Sequence, residues 1–520
     1  MGTDTVTSVN SANLVSNSRW NFIAFIITVV INFLTIPVVI SFIGLDAFGM
    51  SGLIIAIYAP FMMLGTVLGQ IVVREFSQDN VIKDDRGRAH FFSSVLFFCA
   101  SGCILVITVL TAAGGSIISL FVKHSGNLAI NSQTGFLTLG IGWAAQQGVL
   151  IFQAAVVSTQ RYSAIATTSI FSAVVSAISL IICVTMMPNS LGFLIGTSTG
   201  FLISIIIWFF LVRRLLPWLF PLPRFIFQQL GRVFRLGKWL GGAHFVSAIA
   251  NQVDRYVLGV MAPITVVGQY NVAMRLQEVV HMGLLKITEV VFPHFATTTN
   301  DSIERRASFF MQVCWIIMLL GLAALGPLIS LSNEVITIWV SAEAADCGGQ
   351  ILRTLAIAGV LGSCVNVYFY FTLGTGQSTL ISSISIVHAL FTVVLTIVFI
   401  GVFGPLAAGF GYLVANFLRL AVTLWCIGQY FFGVVSLRTL LLCTFPPLAA
   451  GFFIAFLWAY TALLQPNGWV ALLTDYIIIA CTILIGAVFA SIFSKDGRLL
   501  INESVLSLWR NFKQVKTCVE

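Results

Sequence analysis

The sequence predicts an all-α polytopic membrane protein with about 14 transmembrane helices. Of its 520 residues, 58% are hydrophobic and 8% are charged, and the mean hydropathy is +1.02. Soluble domains contain about 45–50% apolar and about 25% charged residues, so a water-soluble globule could not cover its surface with so few charges. A chain this apolar is also not disordered. The composition therefore excludes soluble secreted, cytosolic and nuclear proteins.

Long unbroken apolar runs, such as Phe22–Ile43 and Leu191–Leu211, identify the spans as helices. About 20 residues at about 1.5 Å each cross the hydrocarbon core, whereas barrel strands would alternate apolar and polar residues. A helix also satisfies its own backbone hydrogen bonds in lipid. The predicted spans are 20–43, 50–73, 91–122, 135–159, 164–186, 191–212, 239–261, 266–296, 307–331, 350–373, 379–401, 405–428, 439–464 and 469–493.

The distribution of basic residues predicts the orientation. With the N-terminus inside, 20 of the 26 Lys and Arg residues fall on the inner side and one, Lys123, falls outside. Cytoplasmic loops carry such an excess of Lys and Arg. Both termini are therefore expected in the cytoplasm, and the loop predicted at 332–349 is expected outside.

A weak internal repeat predicts two similar halves. Shifting the sequence by 219 residues places Arg19 on Lys238 and Gly49 on Gly268 without a gap. Many transporters are built from two such repeats. The prediction is two pseudo-symmetric six-helix lobes plus two appended helices. The predicted parts are an N-terminal lobe at 1–212, a basic cytoplasmic linker at 213–238, a C-terminal lobe at 239–438, appended spans at 439–493 and a cytoplasmic tail at 494–520.

The ten cysteines include no C-x-x-C pair, and most lie inside apolar runs, where they act as small hydrophobic residues. We therefore predict no metal site and no cofactor. The basic residues are spread over loops between spans, so no basic domain is available to bind nucleic acid.

Span eight carries a charged stripe. At 100° per residue, Arg275, Glu278, Lys286 and Glu289 lie within an arc of about 80°. Charges inside a membrane usually face a partner or a water-filled cavity. We favour ligand contact for Arg275, while Lys286 and Glu289 are close enough to the inner interface to extend into it.

Span seven has a polar face made by His244, Asn251 and Arg255, with Asp254 at its edge. Spans seven and eight therefore predict a shared water-filled cavity. The alternative is that Asp254 and Arg255 form salt bridges that only hold helices together. Deep in span twelve, Arg419 is a second candidate.

His388 is more typical of a packed core histidine than of a proton relay. In span four, a group of glutamines either lines the other half of the cavity or bonds between helices. The candidate cavity residues are Arg275, Arg255, Asp254, Glu278, Asn251 and Arg419. The basic residues predicted at the inner mouth are Arg19, Arg74, Lys238 and Lys286.

Three short motifs lie at the first turn and in spans seven and eight. They are Gly44-Leu45-Asp46-Ala47-Phe48-Gly49, the run Asn251 to Gly259, and Val267-Gly268-Gln269-Tyr270 followed by Ala273-Met274-Arg275-Leu276. These motifs resemble the polysaccharide flippases of the multidrug/oligosaccharidyl-lipid/polysaccharide exporter superfamily. The resemblance implies a V-shaped bundle of two lobes, a central cationic cavity and alternating access. It also implies a cargo of undecaprenyl-diphosphate-linked oligosaccharide, as for Wzx-type translocases of O-antigen (lipopolysaccharide) or exopolysaccharide units in the bacterial inner membrane. A membrane polymerase or chain-length regulator would be the expected protein partner.

Two other functions remain open from the sequence. A drug or cation antiporter of the same superfamily would use Asp254 or Glu278 as its proton or sodium site. A membrane enzyme, such as an O-antigen ligase or polymerase, would usually need a large catalytic outer loop. The predicted loop at 332–349 is short, and the glycines before Lys238 do not have the spacing of a nucleotide-binding P-loop. A transporter rather than an enzyme is therefore expected.

Overall fold

The structure, a computed structural model, describes residues 11–77, 85–121, 132–222, 226–289, 291, 295, 301–375, 378–431, 433–461, 466–493 and 497–498. All regular secondary structure in these residues is helical, which confirms the all-α prediction. The first helices are α1 (Ser11–Tyr58), α2 (Met63–Ser77), α3 (Asp85–Phe121), α4 (Ser132–Val157), α5 (Tyr162–Met186), α6 (Ser190–Leu215), α7 (Phe227–Ala250), α8 (Val253–Met261) and α9 (Ile264–Glu289). They are followed by α10 (Ile303–Ser330), α11 (Ser332–Trp339), α12 (Ala342–Gly374), α13 (Ser378–Phe403), α14 (Ala408–Tyr430), α15 (Leu437–Thr461) and α16 (Trp469–Ile492).

In the described part of the chain, 11 helical segments are long and apolar enough to cross a membrane. One of them, Phe22–Phe76, has 55 residues and is long enough for two crossings. The predicted spans seven and eight correspond to α7–α8 and α9, which are not among these segments. Their polar side chains lower the hydropathy, as expected for helices that face water or a ligand.

The first predicted span and the start of the second form the kinked helix α1, and the rest of the second span continues through a 3-10 helix (Ala59–Met62) into α2. Gly44 interrupts α1 with φ 76° and ψ 170°, a conformation that a side chain would disfavour. After the kink, α1 packs closely against the start of α9. A Cβ added at Gly49 would lie 2.5 Å from the carbonyl oxygen of Ile264, and one at Gly268 would lie 2.4 Å from that of Leu45. Two of the family-like motifs therefore meet backbone to backbone.

The predicted linker at 213–238 is largely helical, contrary to the expectation of a loop. The chain continues in α6 to Leu215, forms a short 3-10 helix at Pro217–Leu219, and enters α7 at Phe227. Basic residues interrupt the apolar signal here, but Arg, Lys, Gln and Leu all favour helices. Residues 223–225 of this segment lie outside the described part.

The loop predicted at 332–349 is also helical. It contains α11 and the first turns of α12, which begins where the Ser341 hydroxyl accepts a hydrogen bond from the Ala344 amide at 3.2 Å. Ser is a favoured N-cap, and the following Ala-Glu-Ala-Ala sequence consists of strong helix formers. Because this segment has no long apolar run, hydropathy alone did not indicate that it is helical.

Packing divides the chain into two compact units, Met1–Gly268 and Gln269–Glu520. In the first unit, α4 is the most buried candidate span and packs on α2, α3 and α6, while α7 packs on α2. In the second unit, α12 is the most buried and packs on α10 and α14. These two central helices correspond to spans four and ten, which occupy equivalent places in the predicted repeat. The pseudo-symmetry and the lobe boundaries stay predictions.

Candidate functional site

The polar residues predicted on span seven lie at and around a break in the helix. The chain leaves α7 at Ala250 and enters α8 at Val253, so the exposed Asn251 lies in a turn whose amide bonds to the Ser247 carbonyl at 3.0 Å. The prediction that His244, Asn251 and Arg255 share one face requires a continuous helix. The break at Asn251 shows that the helix is not continuous, so this prediction is wrong. Asn is a weak helix former whose side chain competes for backbone hydrogen bonds, so this position suits a break.

Two of the predicted cavity residues, Asp254 and Arg255, lie in the first turns of α8. Asp254 is buried and lies at the N-terminal end of the helix, where a carboxylate is stabilised by the helix dipole. Arg255 is half-buried and donates a hydrogen bond to the Gln252 side-chain carbonyl. The Tyr256 hydroxyl donates to the Ala56 carbonyl at 2.7 Å, which ties α8 to α1. Asp254 and Arg255 are thus held on a short, anchored helix.

The charged stripe on α9 divides into two pairs. The side chains of Arg275 and Glu278 are 58% and 37% exposed and approach at 3.4 Å, a long contact for an ion pair. Lys286 and Glu289 are closer, at 2.8 Å. Exposed pairs of this kind contribute little to stability. Arg275 therefore keeps most of its donors available for another acceptor.

Arg419 lies deep in the second unit. It lines a cavity of about 160 Å³ between α13 and α14, and its Nε is buried without a hydrogen-bond partner in the described part of the chain. His388 lines the same cavity, and its Nε2 likewise has no partner there. The His388 ring also packs against the Tyr412 ring, with 6.5 Å between the ring centroids. Its role as a packed core histidine stays a prediction.

A further titratable side chain of the second unit is His281. It lies on α9, one turn after Glu278, and is within electrostatic range of both Arg419 and Glu278. Sequence analysis missed His281, although its spacing of three residues from Glu278 places it next to the charged stripe.

In the first unit, Arg74 lies exposed in the last turn of α2. Together with Gln70 and Gln153 it lines a groove of about 410 Å³ between α2 and α4. Gln147, in contrast, bonds between helices, since its side-chain oxygen accepts from the Gly65 amide at 2.8 Å. Gln147 thus bonds between helices, whereas Gln153 lines the groove.

The structure describes the side chains of only two of the four basic residues predicted at the inner mouth. The side chains of Arg19 and Lys238 lie outside the described residues. Arg74 lines the groove of the first unit, and Lys286 is paired with Glu289. Across the described ranges, no three His, Cys, Asp or Glu side chains are grouped so that they could hold a metal ion.

Solved structures with the same fold are transporters. The lipid II flippase MurJ, in an inward closed conformation, matches with a TM-score of 0.71 and 16% identity over 93% of this chain and 99% of that chain. An inward-facing multidrug resistance MATE transporter of the MOP superfamily matches with a TM-score of 0.63 and 14% identity, over 78% and 95%. A MOP superfamily transporter from Pyrococcus furiosus matches with a TM-score of 0.56 and 13% identity, over 80% and 96%. At these identities the likeness concerns the fold.

No curated protein matches the sequence. A family model described as "Polysaccharide biosynthesis protein" matches residues 14–299, which is more than half of the chain. The matched range includes the kink motif at Gly44, the broken span at Asn251 and the charged helix that carries Arg275. The family that the short motifs predicted is thereby confirmed. The chain therefore belongs to the polysaccharide biosynthesis protein family and has the helical fold of MOP superfamily transporters.

Proposed function

We propose that this protein is a flippase for undecaprenyl-diphosphate-linked oligosaccharide. It would carry an O-antigen or exopolysaccharide repeat unit from the inner to the outer leaflet of the bacterial inner membrane by alternating access. The observation that carries this proposal is Arg275 on α9, whose side chain is 58% exposed and whose ion pair with Glu278 is long, at 3.4 Å.

The chemistry of arginine supports an anionic cargo. A charge at the centre of a membrane helix costs about 2.5–3.5 kcal/mol on insertion scales, so it is retained where it faces water or a ligand. The planar guanidinium binds phosphate oxygens through two parallel hydrogen bonds. Arg275 would bind the phosphates of the lipid head, and Arg419 is the second basic candidate.

The driving force is compatible with this proposal. The inner side of a bacterial inner membrane is electrically negative, and moving one charge across is worth about 2.3 kcal/mol per 100 mV. Outward movement of an anionic head is therefore favourable without ATP hydrolysis. A membrane polymerase or a chain-length regulator would then use the unit delivered to the outer leaflet.

Deletion of the gene is the direct test of the proposed function. The deletion strain should accumulate a lipid-linked oligosaccharide in the inner leaflet, and a plasmid copy of the wild-type gene should clear it. The accumulated lipid is measured by extraction and mass spectrometry, and its leaflet by accessibility to an impermeant glycan-binding probe. Normal export without accumulation would contradict the proposal.

An ion-coupled drug or cation antiporter is the second candidate, favoured by the buried Asp254 and by the MATE-like fold. If Asp254 binds the coupling ion, Asp254→Asn should abolish transport because the neutral amide cannot exchange a proton or hold sodium. Arg275→Ala should then be tolerated. The flippase proposal expects the opposite order of effects, measured as export of glycan from cells that contain equal amounts of each variant.

The orientation is tested with single cysteines in a background that lacks the ten native ones. Arg214→Cys lies in the exposed last turn of α6, on the side expected to be cytoplasmic. Glu343→Cys lies in the exposed first turn of α12, on the side expected to be external. In intact cells an impermeant thiol reagent should label position 343 and spare position 214. The reverse pattern would overturn the orientation and the direction of transport.

A further inference from the structure

A second, larger cavity lies in the second unit, away from the residues used above. Its volume is about 540 Å³, within the range of sites that hold small molecules. Residues of α11 and α12 form one wall, and the end of α13 and the start of α14 form the other. The first wall is polar and the second is apolar, so the cavity is suited to a ligand with two chemically different ends.

The polar wall is centred on Arg353. Its Nε donates to the Ile329 carbonyl at 3.0 Å, which fixes the plane of the guanidinium and leaves the two Nη groups to face other acceptors. Gln350 and Thr354 lie three residues before and one after it on α12 and line the same cavity. No acidic side chain lines this cavity in the described part of the chain. The wall therefore offers one arginine fork together with neutral hydrogen-bonding groups.

Two glycines hold this polar wall in place. A Cβ at Gly349 would lie 1.6 Å from the side-chain oxygen of Asn333, so this carboxamide packs directly over the backbone of α12 beside the cavity. A Cβ at Gly409 would lie 3.0 Å from that of Thr354, so the start of α14 approaches α12 closely. Asn333 and Thr354 both line the cavity.

The apolar wall consists mainly of phenylalanine rings. The Phe399 ring stacks on that of Phe403 at 5.8 Å and 25°, and on that of Phe410 at 6.2 Å and 26°. Phe403 is 69% exposed at the end of α13. Phe399 and Phe403 belong to the candidate membrane span Ser383–Phe403, so this wall offers an apolar surface suited to an acyl chain.

We propose that this cavity binds the headgroup of an anionic phospholipid of the type of phosphatidylglycerol. The arginine fork would hold the single phosphodiester, since one guanidinium matches one phosphate. The amides of Asn333 and Gln350 would bond the hydroxyls of the headgroup. An acyl chain would lie along the Phe399, Phe403 and Phe410 rings.

The test measures lipid binding to the purified full-length protein, stripped of lipid in a neutral detergent. Phosphatidylglycerol and phosphatidylcholine with identical chains are titrated, and occupancy is read by native mass spectrometry. We expect the wild type to bind phosphatidylglycerol more tightly than phosphatidylcholine. Arg353→Gln should lower the affinity for phosphatidylglycerol about tenfold, because it removes one charge-assisted hydrogen-bonded pair. Arg353→Lys should retain part of the affinity because it keeps the charge without the fork.

Two further variants test whether a loss of lipid binding is caused by misfolding and not by loss of the site. Phe403→Ala changes an exposed ring at the rim and should weaken binding of both lipids severalfold. Arg438→Gln removes an exposed charge outside the cavity and should bind phosphatidylglycerol as the wild type does. Equal affinities of wild type and Arg353→Gln would overturn the proposal, as would equal affinity for the two phospholipids. Tighter, Arg353-dependent binding of undecaprenyl diphosphate would overturn the assignment to a bilayer lipid. These outcomes do not depend on whether the protein is a flippase.

Discussion

Arg275→Ala is expected to reduce flipping of lipid-linked oligosaccharide at least about tenfold, since one charge-assisted contact to phosphate corresponds to roughly that factor. The Arg275 side chain is 58% exposed, and its contact with Glu278 at 3.4 Å leaves most of its donors available. Arg275→Lys should be partly active because it keeps the charge but loses the planar fork. The measurement is the flipping rate in proteoliposomes with an imposed potassium-diffusion potential, inside negative.

Arg438→Gln is the matched control, since Arg438 is an exposed basic residue near the start of α15. It should flip at the wild-type rate. Equal rates for Arg275→Ala and wild type, with both proteins correctly inserted, would remove Arg275 from the mechanism. The double exchange Arg275→Glu with Glu278→Arg separates a salt bridge from a binding site. Recovery of transport by the exchange would mean that the pair only holds the structure.

Gly49→Ala and Gly268→Ala are each expected to destabilise the protein strongly. At both positions the added Cβ would meet backbone atoms, at 2.5 Å from the Ile264 oxygen and at 2.4 Å from the Leu45 oxygen. Backbone cannot rotate away as a side chain can, so α1 and α9 would have to separate. Overpacking typically costs about 1–3 kcal/mol, and these contacts should lie at the upper end. The measurement is the thermal unfolding midpoint of the purified protein in detergent.

Gly242→Ala is the control for this pair. Gly242 lies inside α7 and is exposed, and a Cβ there would meet no atom within 4 Å. Alanine in a helix interior is favoured over glycine by about 0.5–1 kcal/mol, so the variant should be as stable as the wild type or slightly more stable. If Gly49→Ala and Gly268→Ala unfold at the same temperature as Gly242→Ala, the close approach of α1 and α9 is wrong.

The local chemistry of the sequence was sufficient to predict the class of protein. Hydropathy and the length of apolar runs depend on neighbouring residues alone, so the all-α membrane fold, most of the spans and the family were readable without coordinates. Arg275 and Glu278 were also predictable as neighbours, because a spacing of three residues brings side chains together on any helix. The repeat placed Gly49 opposite Gly268 as equivalent positions, but it could not show that the two glycines touch.

Contacts and cavities formed by segments that are distant in sequence became visible only in the tertiary structure. His281 and Arg419 are 138 residues apart in sequence, and only the folded second unit brings them within electrostatic range of each other. The cavity around Arg353 likewise requires α11, α12 and the α13–α14 turn together. The helices at 332–349 and the break at Asn251 also escaped prediction. Hydropathy reports the transfer of side chains into lipid, whereas helix ends and polar contacts are set by hydrogen bonds between particular partners.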